Sequence, residues 1–467
     1  MTRATFGDLM SSLRTILTLV AMCVGCGQAG APPLEEPCEP DADFVATLQR
    51  QRARALEDTC FRDAEDTSGC AWVAHEYDPA ELAPEMGSSD EAILLVDSLP
   101  RLTTAMFRYR ARLRGYHRVG PDGTIAPAAH TWRLPAALHE TLESLRRPYS
   151  VPAAWLEPVA DALYESYGSI LLDDVGHGGF VFATLAEPTS RHPIVLLDGL
   201  DFTDFAPELF CAPASDTTVT ARLEARTRVV AASLRALIRT SGVRYVSYSA
   251  GWSLPVMRTT WDAFCSGEPP SDAVMRERLA TFAPIAEVLF ATEGVIAAHA
   301  GDASENSLDF PFDQRSDVYP NRVRVGFFTA LDSGLDALGR GASSELEAWP
   351  GPTSADVWLN SGVLRERPFP FNDTPLETID GFGTSVAPVT STTTSWITPL
   401  ALARLIHLRE SAHAGAPFDD ALVRALLDEL TPAACGPGGD ERCRFQDPLR
   451  HRQIEAARAA CAPARRG

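Results

Sequence analysis

The chain contains no lysine: all 41 of its basic residues are arginine, set against 62 acidic ones. The missing lysine is a compositional bias and points to no mechanism. The shortage of positive charge does have a consequence. A formal net charge of −21 excludes nucleic acid as a partner and excludes adhesion to anionic lipid. No apolar run reaches the roughly 20 residues that a membrane-spanning helix needs. The one Cys-x-x-Cys, Cys23 to Cys26, lies in the N-terminal leader, and no paired Cys/His spacing occurs elsewhere, so zinc is not expected. There is no internal repeat. What is present is 45% apolar residues in many short runs over 467 positions. That describes a folded protein with one large domain and appendages, or two domains.

The first 25 residues read as a signal peptide. Arg3 and Arg14 precede an apolar stretch from Ile16 to Val24, too short to span a bilayer and the right length for a signal core. It ends at Gly25-Cys26. A small residue before a cysteine at this point resembles the lipobox of bacterial lipoproteins. The resemblance implies that Cys26 becomes the acylated mature N-terminus, on an exported chain held at the cell envelope only through its lipid. Cys23 departs from the leucine usual at that place, so plain cleavage is the alternative.

Export agrees with the remaining cysteines. Cys38, Cys60, Cys70, Cys211, Cys265, Cys435, Cys443 and Cys461 make an even set, as a disulfide framework requires. Three fall near the N-terminus and three in the C-terminal tail, and each cluster is expected to staple a loop-rich extension to the body. Residues 26–90 read as a tether followed by a cysteine-containing arm with a helix over Phe44–Glu57. Residues 91–415 alternate apolar strands with helices, the signature of an α/β fold with a mostly parallel sheet and helices on both faces. Residues 416–467 read as a helix over Phe418–Leu430 and a Gly/Pro/Cys-rich tail.

The strand ends carry the functional signal. Ala92–Val96 runs into Asp97-Ser98, and Ile194–Leu197 into Asp198. Val243–Tyr248 is followed by Ser249-Ala250-Gly251. Gly294–Ala298 is followed by His299-Ala300-Gly301-Asp302. Open α/β sheets build their sites at the C-terminal ends of such strands. Two further runs stand out. His177-Gly178-Gly179 precedes an apolar stretch, and Ser395 lies just ahead of a helix expected over Leu400–Glu410, with Pro399 in its first turn. A serine and a histidine far apart in sequence are what a nucleophile and its base look like.

In this order the segments resemble the subtilisin-like serine proteases, over most of residues 91–415. Asp97 matches the aspartate that closes an early strand in that family. His177–Thr184 matches its histidine motif, Val246–Gly251 its substrate-pairing strand, Ala298–Asp302 its oxyanion segment, and Thr393–Pro399 its serine motif. The resemblance implies a serine endopeptidase acting on peptide or protein substrates, with no cofactor apart from the calcium common in the family, for which no ligands can be assigned. Ser395 would attack the carbonyl, His177 would carry the proton, and Asp97 would orient the imidazole. Ser249, Ala250 and Gly251 would pair with an extended substrate. The Ser395 amide and the side chain of Asp302 would cradle the oxyanion.

Departures from the family pattern shape the expectations. Asp302 stands where asparagine is usual and must be protonated to donate, which predicts weak activity with an acid-shifted optimum. Thr393 replaces a glycine, Phe180 a histidine, and Leu99 a glycine. About 80 residues separate Asp97 from His177, so an insertion is expected over Arg101–Tyr167. The rivals are Asp198, Asp173 and Asp174 as partners of His177, and Ser385 as nucleophile. A second class reads Ser247–Gly251 as an elbow with Ser249 as the nucleophile of an α/β-hydrolase esterase, served by His407 or His413. A third keeps the fold without activity, as a lipid-anchored binding protein.

Overall fold

The computed structural model describes residues 40–63, 67–146, 153–170, 176–189, 191–300, 308–313, 318–329, 347–349, 355–360, 377–388, 393–430 and 445–446. Its strands are β1 Trp72–Glu76, β2 Ala92–Asp97, β3 Leu113–Val119, β4 Ile125–Pro127, β5 Thr131–Pro135, β6 Ile194–Asp198, β7 Val243–Tyr248, β8 Ile296–Ala300, β9 Arg322–Thr329, β10 Glu347–Trp349, β11 Val357–Asn360, β12 Glu377–Ile379, β13 Val386–Pro388 and β14 Phe445–Gln446. Its longer helices are α1 Ala42–Glu57, α2 Ala136–Ser144, α3 Ala153–Tyr167, α4 Gly176–Ala186, α5 Val219–Thr240, α6 Leu254–Phe264, α7 Asp272–Ala280, α8 Ala283–Ala291, α9 Thr394–Ser411 and α10 Asp420–Leu430.

Among the described residues, ten strands form one sheet in the order β14-β11-β9-β8-β7-β2-β6-β3-β4, with β10 beside β9. Every pairing from β3 to β14 is parallel; only β4 and β10 are antiparallel additions. The central strands are continuous apolar runs because both faces are covered. Ile93 and Leu95 of β2 and Ile194 and Leu196 of β6 enter one core, while Leu94, Val96, Val195 and Leu197 enter the other. Helices α4 and α9 close the first face, and α5 and α8 the second. The alternation is the period-two geometry of a strand buried on both sides.

Helix α9 is apolar around its whole circumference, with Ile397, Leu400, Ala401, Leu402, Leu405 and Ile406 all buried. Such a helix belongs inside the molecule, and it packs between β7, β8 and β9 on one side and α4 and α10 on the other.

Strand β2 lies between β6 and β7. From β2 the chain steps to β3, returns to β6, and then builds outward through β7 and β8. The direction of travel therefore reverses next to β2, and the crevice at the C-terminal ends of β2 and β7 is the switch point of the sheet. The span Arg101–Tyr167 is only partly an insertion. It supplies β3 of the main sheet, along with β4, β5, α2 and α3.

Residues Cys38–Gly467 form one compact unit. The arm is docked by α1, whose Phe44 and Leu48 join the first core and whose Phe44 ring sits 6.3 Å from that of Trp155 on α3. The Ser166 hydroxyl donates to Ala55 O at 2.7 Å, and β1 pairs antiparallel with β5. Two disulfides are present among the described residues. Cys60–Cys70 closes a short loop inside the arm and does not tie it to the body. Cys211–Cys265 instead joins two loops of the α/β body. Cys26, Cys38, Cys435, Cys443 and Cys461 lie outside the described residues, as do Asp173, Asp174 and Asp302. No helix among the described residues is long and apolar enough to cross a membrane.

Candidate active site

Asp97 is the last residue of β2, and its side chain is 1% exposed. Oδ1 accepts the Ser98 amide at 2.8 Å and His177 Nδ1 at 2.6 Å. His177 stands in the first turn of α4, immediately after Gly176, whose φ of 45° only glycine adopts without strain. The next residue explains the glycine pair. A Cβ on Gly178 would lie 2.5 Å from the Ser98 carbonyl oxygen and 2.6 Å from Leu99 Cδ2. The helix start is therefore seated against the loop after β2 in a way that only glycine permits, and this seating sets His177 over Asp97.

With Nδ1–H donating to the carboxylate, Nε2 is left as the proton acceptor. Burial alone would lower the His177 pKa. The hydrogen bond to Asp97 and the charges of Asp97 and Asp201 outweigh it, and the net shift is upward from 6.5.

Ser395 occupies the second position of α9, one residue ahead of Trp396. The ring of its neighbour Trp396 lies 4.8 Å from the His177 ring and 4.2 Å from Phe180. The helix begins well before the expected Leu400, because Thr393 is its N-cap and accepts the Ser395 amide at 3.1 Å. Pro399 consequently falls inside the helix. A proline has no N–H for the carbonyl four residues earlier, and that carbonyl belongs to Ser395. It is taken instead by the Ser249 hydroxyl at 3.0 Å, while the Ser395 hydroxyl donates to the Ser249 carbonyl, also at 3.0 Å. This reciprocal pair fastens the nucleophile candidate to the C-terminal end of β7.

The segment after β7 is held from below. His299 of β8 donates through Nε2 to Ala250 O at 3.0 Å and stacks on Tyr248 with centroids 5.4 Å apart. Burial, then the charge of Arg322, depress its pKa well below 6.5, so it is a neutral strut. Ser249, Ala250 and Gly251 form one side of a cavity of about 700 Å³ that also exposes Ser98, Asp201, Asp204, Trp252 and Ser395. That is the size of a small-ligand or side-chain pocket. Asp201 accepts from Trp252 Nε1 at 3.1 Å. Its pKa is pushed up to about 7 by burial, then by the charges of Asp204, Asp97 and Asp198.

The rivals have other work. Asp198 accepts the Leu99 amide at 2.7 Å and Arg118 Nε at 2.8 Å. The Ser385 hydroxyl donates to Asp380 at 2.8 Å in the loop between β12 and β13. His407 is twelve residues beyond Ser395 on the same helix, about 18 Å along its axis. His413 pairs with Glu429 at 2.5 Å beyond the far end of that helix. Neither histidine is placed to serve Ser249. Three contributors were not legible beforehand: Asp201 in the cavity wall, His299 beneath Ala250, and the Thr393 cap. Only the cap had a sequence signal, a threonine two positions ahead of the serine at a helix start.

Among the described residues, the one group of three or more side chains spaced to share a metal ion is His75, His139 and Glu143. Its two nitrogen donors do not suit calcium, which takes oxygen ligands.

Comparison of the chain with protein-family models, with characterised proteins and with solved structures finds no match.

Proposed function

We propose that the chain is an exported, lipid-anchored serine endopeptidase that cleaves peptide bonds by acyl transfer. The observation that carries this reading is the buried Asp97 carboxylate hydrogen-bonded to His177 Nδ1, with that imidazole packed against the residue after Ser395 at the helix N-terminus facing the cavity. An extended peptide lies along Ser249–Gly251 and places a side chain in the cavity. The Ser395 hydroxyl turns from the Ser249 carbonyl to His177 Nε2 and attacks the peptide carbonyl as its proton passes to the imidazole. The imidazolium, stabilised by Asp97, returns the proton to the leaving amine. Water then attacks the acyl carbonyl as its proton passes to His177, and the imidazolium returns that proton to the Ser395 oxygen as the acid leaves. The Ser395 amide assists the oxyanion once it leaves Thr393 Oγ1. Asp302 is the second donor proposed for that charge.

One observation favours a second reading, a catalytically silent binding lipoprotein. In the resting arrangement both the hydroxyl and the amide of Ser395 are engaged, by Ser249 O and Thr393 Oγ1 respectively. The deciding experiment follows digestion of an unfolded protein substrate by the mature chain and by Ser395→Ala and His177→Ala. The protease reading requires cleavage by the parent chain and its loss in both variants. No cleavage at any pH by a folded parent chain leaves the binding reading.

A further inference from the structure

A second group of side chains, remote in sequence from Ser395, has the arrangement of a metal site. His75 lies on β1, in the arm; His139 and Glu143 lie one turn apart on α2. One ligand atom from each falls within 4.8 Å of the other two. His75 Nδ1 and His139 Nε2 are 3.2 Å apart, and His139 Nε2 is 3.8 Å from Glu143 Oε1. Two nitrogens bound to one zinc ion at 2.0–2.1 Å with a tetrahedral angle are separated by about 3.3 Å. The two rings are directly hydrogen-bonded at this distance, and the same spacing accommodates a shared tetrahedral ion.

The surroundings orient the donors. Glu81 Oε1 lies 2.6 Å from His75 Nε2 and fixes the proton on that nitrogen, so the Nδ1 lone pair is aimed at His139. A carboxylate holding the outer nitrogen of a ligating histidine is the usual support of a zinc ligand. Both imidazoles pack on Phe107, with centroids 5.0 and 5.3 Å away. Arg110 bonds Glu81 and Glu143, and Arg146 reaches Glu81 at 3.2 Å. These cations oppose a divalent ion and set its affinity below that of an all-thiolate structural site.

We infer that His75, His139 and Glu143 bind one zinc ion, with a fourth position open to water, and that the ion ties strand β1 of the arm to helix α2. Two imidazoles and one carboxylate are a donor set zinc accepts. Spacing in the sequence could not reveal it, because one ligand comes from a strand and two from a helix some sixty residues later.

The test uses the mature, tag-free chain stripped with chelator and then given zinc chloride. The expected result is one zinc per chain after gel filtration and a melting temperature several degrees higher. Hydrogen exchange at the β1 amides should slow on adding zinc. Glu143→Gln and His139→Ala should each lose the zinc and the slowed exchange, while His413→Ala, on the histidine paired with Glu429, should keep both. Glu143→Gln preserves shape if His139→Ala fails to fold. Absence of bound zinc in the parent chain, or zinc retained equally by the two cluster variants, overturns the assignment.

Discussion

In the proposed mechanism the reactivity of Ser395 turns on three residues: His177 as its base, and Thr393 and Ser249, which hold its amide and hydroxyl in the resting arrangement. His177 must be neutral to accept a proton, and its pKa is shifted upward from 6.5. Activity should therefore fall as pH drops through that raised value. In Asp97→Asn the partner charge is gone, so the limb should move to lower pH while kcat falls by about 10³–10⁴-fold, read from a pH–rate profile. Thr393→Gly removes the hydroxyl that holds the Ser395 amide and should raise kcat several-fold on the same substrate, with KM little changed. The loss of an N-cap costs a few tenths of a kcal/mol when glycine replaces it. Ser249→Ala separates protease from esterase. It leaves the Ser395 carbonyl without its partner and should cost about 1–3 kcal/mol by denaturant unfolding, yet it should not abolish turnover. Asp201 gives a stability test. Its carboxyl stays protonated in the folded chain up to about pH 7, against an ordinary value of 3.8. The folded state thus holds the extra proton between those values, and stability falls as pH rises across that window. Asp201→Asn should flatten the decline, read from denaturant unfolding at several pH values.

Among the elements, α4 and the strand ends show what was legible and what was not. The buried parallel strands were readable because a strand covered on both faces is a continuous apolar run closed by a polar residue, as Ile93–Asp97 and Val195–Asp198 are. Position then follows from topology, which brings every such end to one edge of the sheet. Helix α9 starts at Thr394 and not at the expected Leu400, so its first turn does not contain Pro399. The proline is tolerated farther in because Ser249 takes the carbonyl it leaves unpaired. Nothing in the sequence supplies a packing reason for Gly178. The structure supplies one, and it serves the site: Gly178→Ala should push α4 off the Ser98 carbonyl and separate His177 from Asp97, with turnover lost and the fold retained. The Cys211–Cys265 bridge spans 54 residues and Cys211 lines the cavity. Replacing both cysteines by serine should cost about 2–4 kcal/mol in unfolding experiments.

Across the whole molecule, the arm and the body share one core through Phe44, Leu48 and Phe61. That docking was not legible, because an amphipathic helix announces a buried face but not the surface that buries it. The same holds for Asp201, Trp252 and His299, which meet only after β6, β7 and β8 are aligned. What the sequence did carry was the order of an acid, a histidine and a serine at the ends of successive elements. The fold places Asp97 and His177 in hydrogen-bond contact and Trp396, the neighbour of Ser395, against the imidazole. The most direct test of the central claim is reaction with a fluorophosphonate, which phosphonylates only an activated serine, followed by peptide mass mapping. The account predicts one modified residue, Ser395, with labelling lost in His177→Ala and kept in Ser249→Ala. Labelling at Ser249, or none on a folded chain, contradicts it.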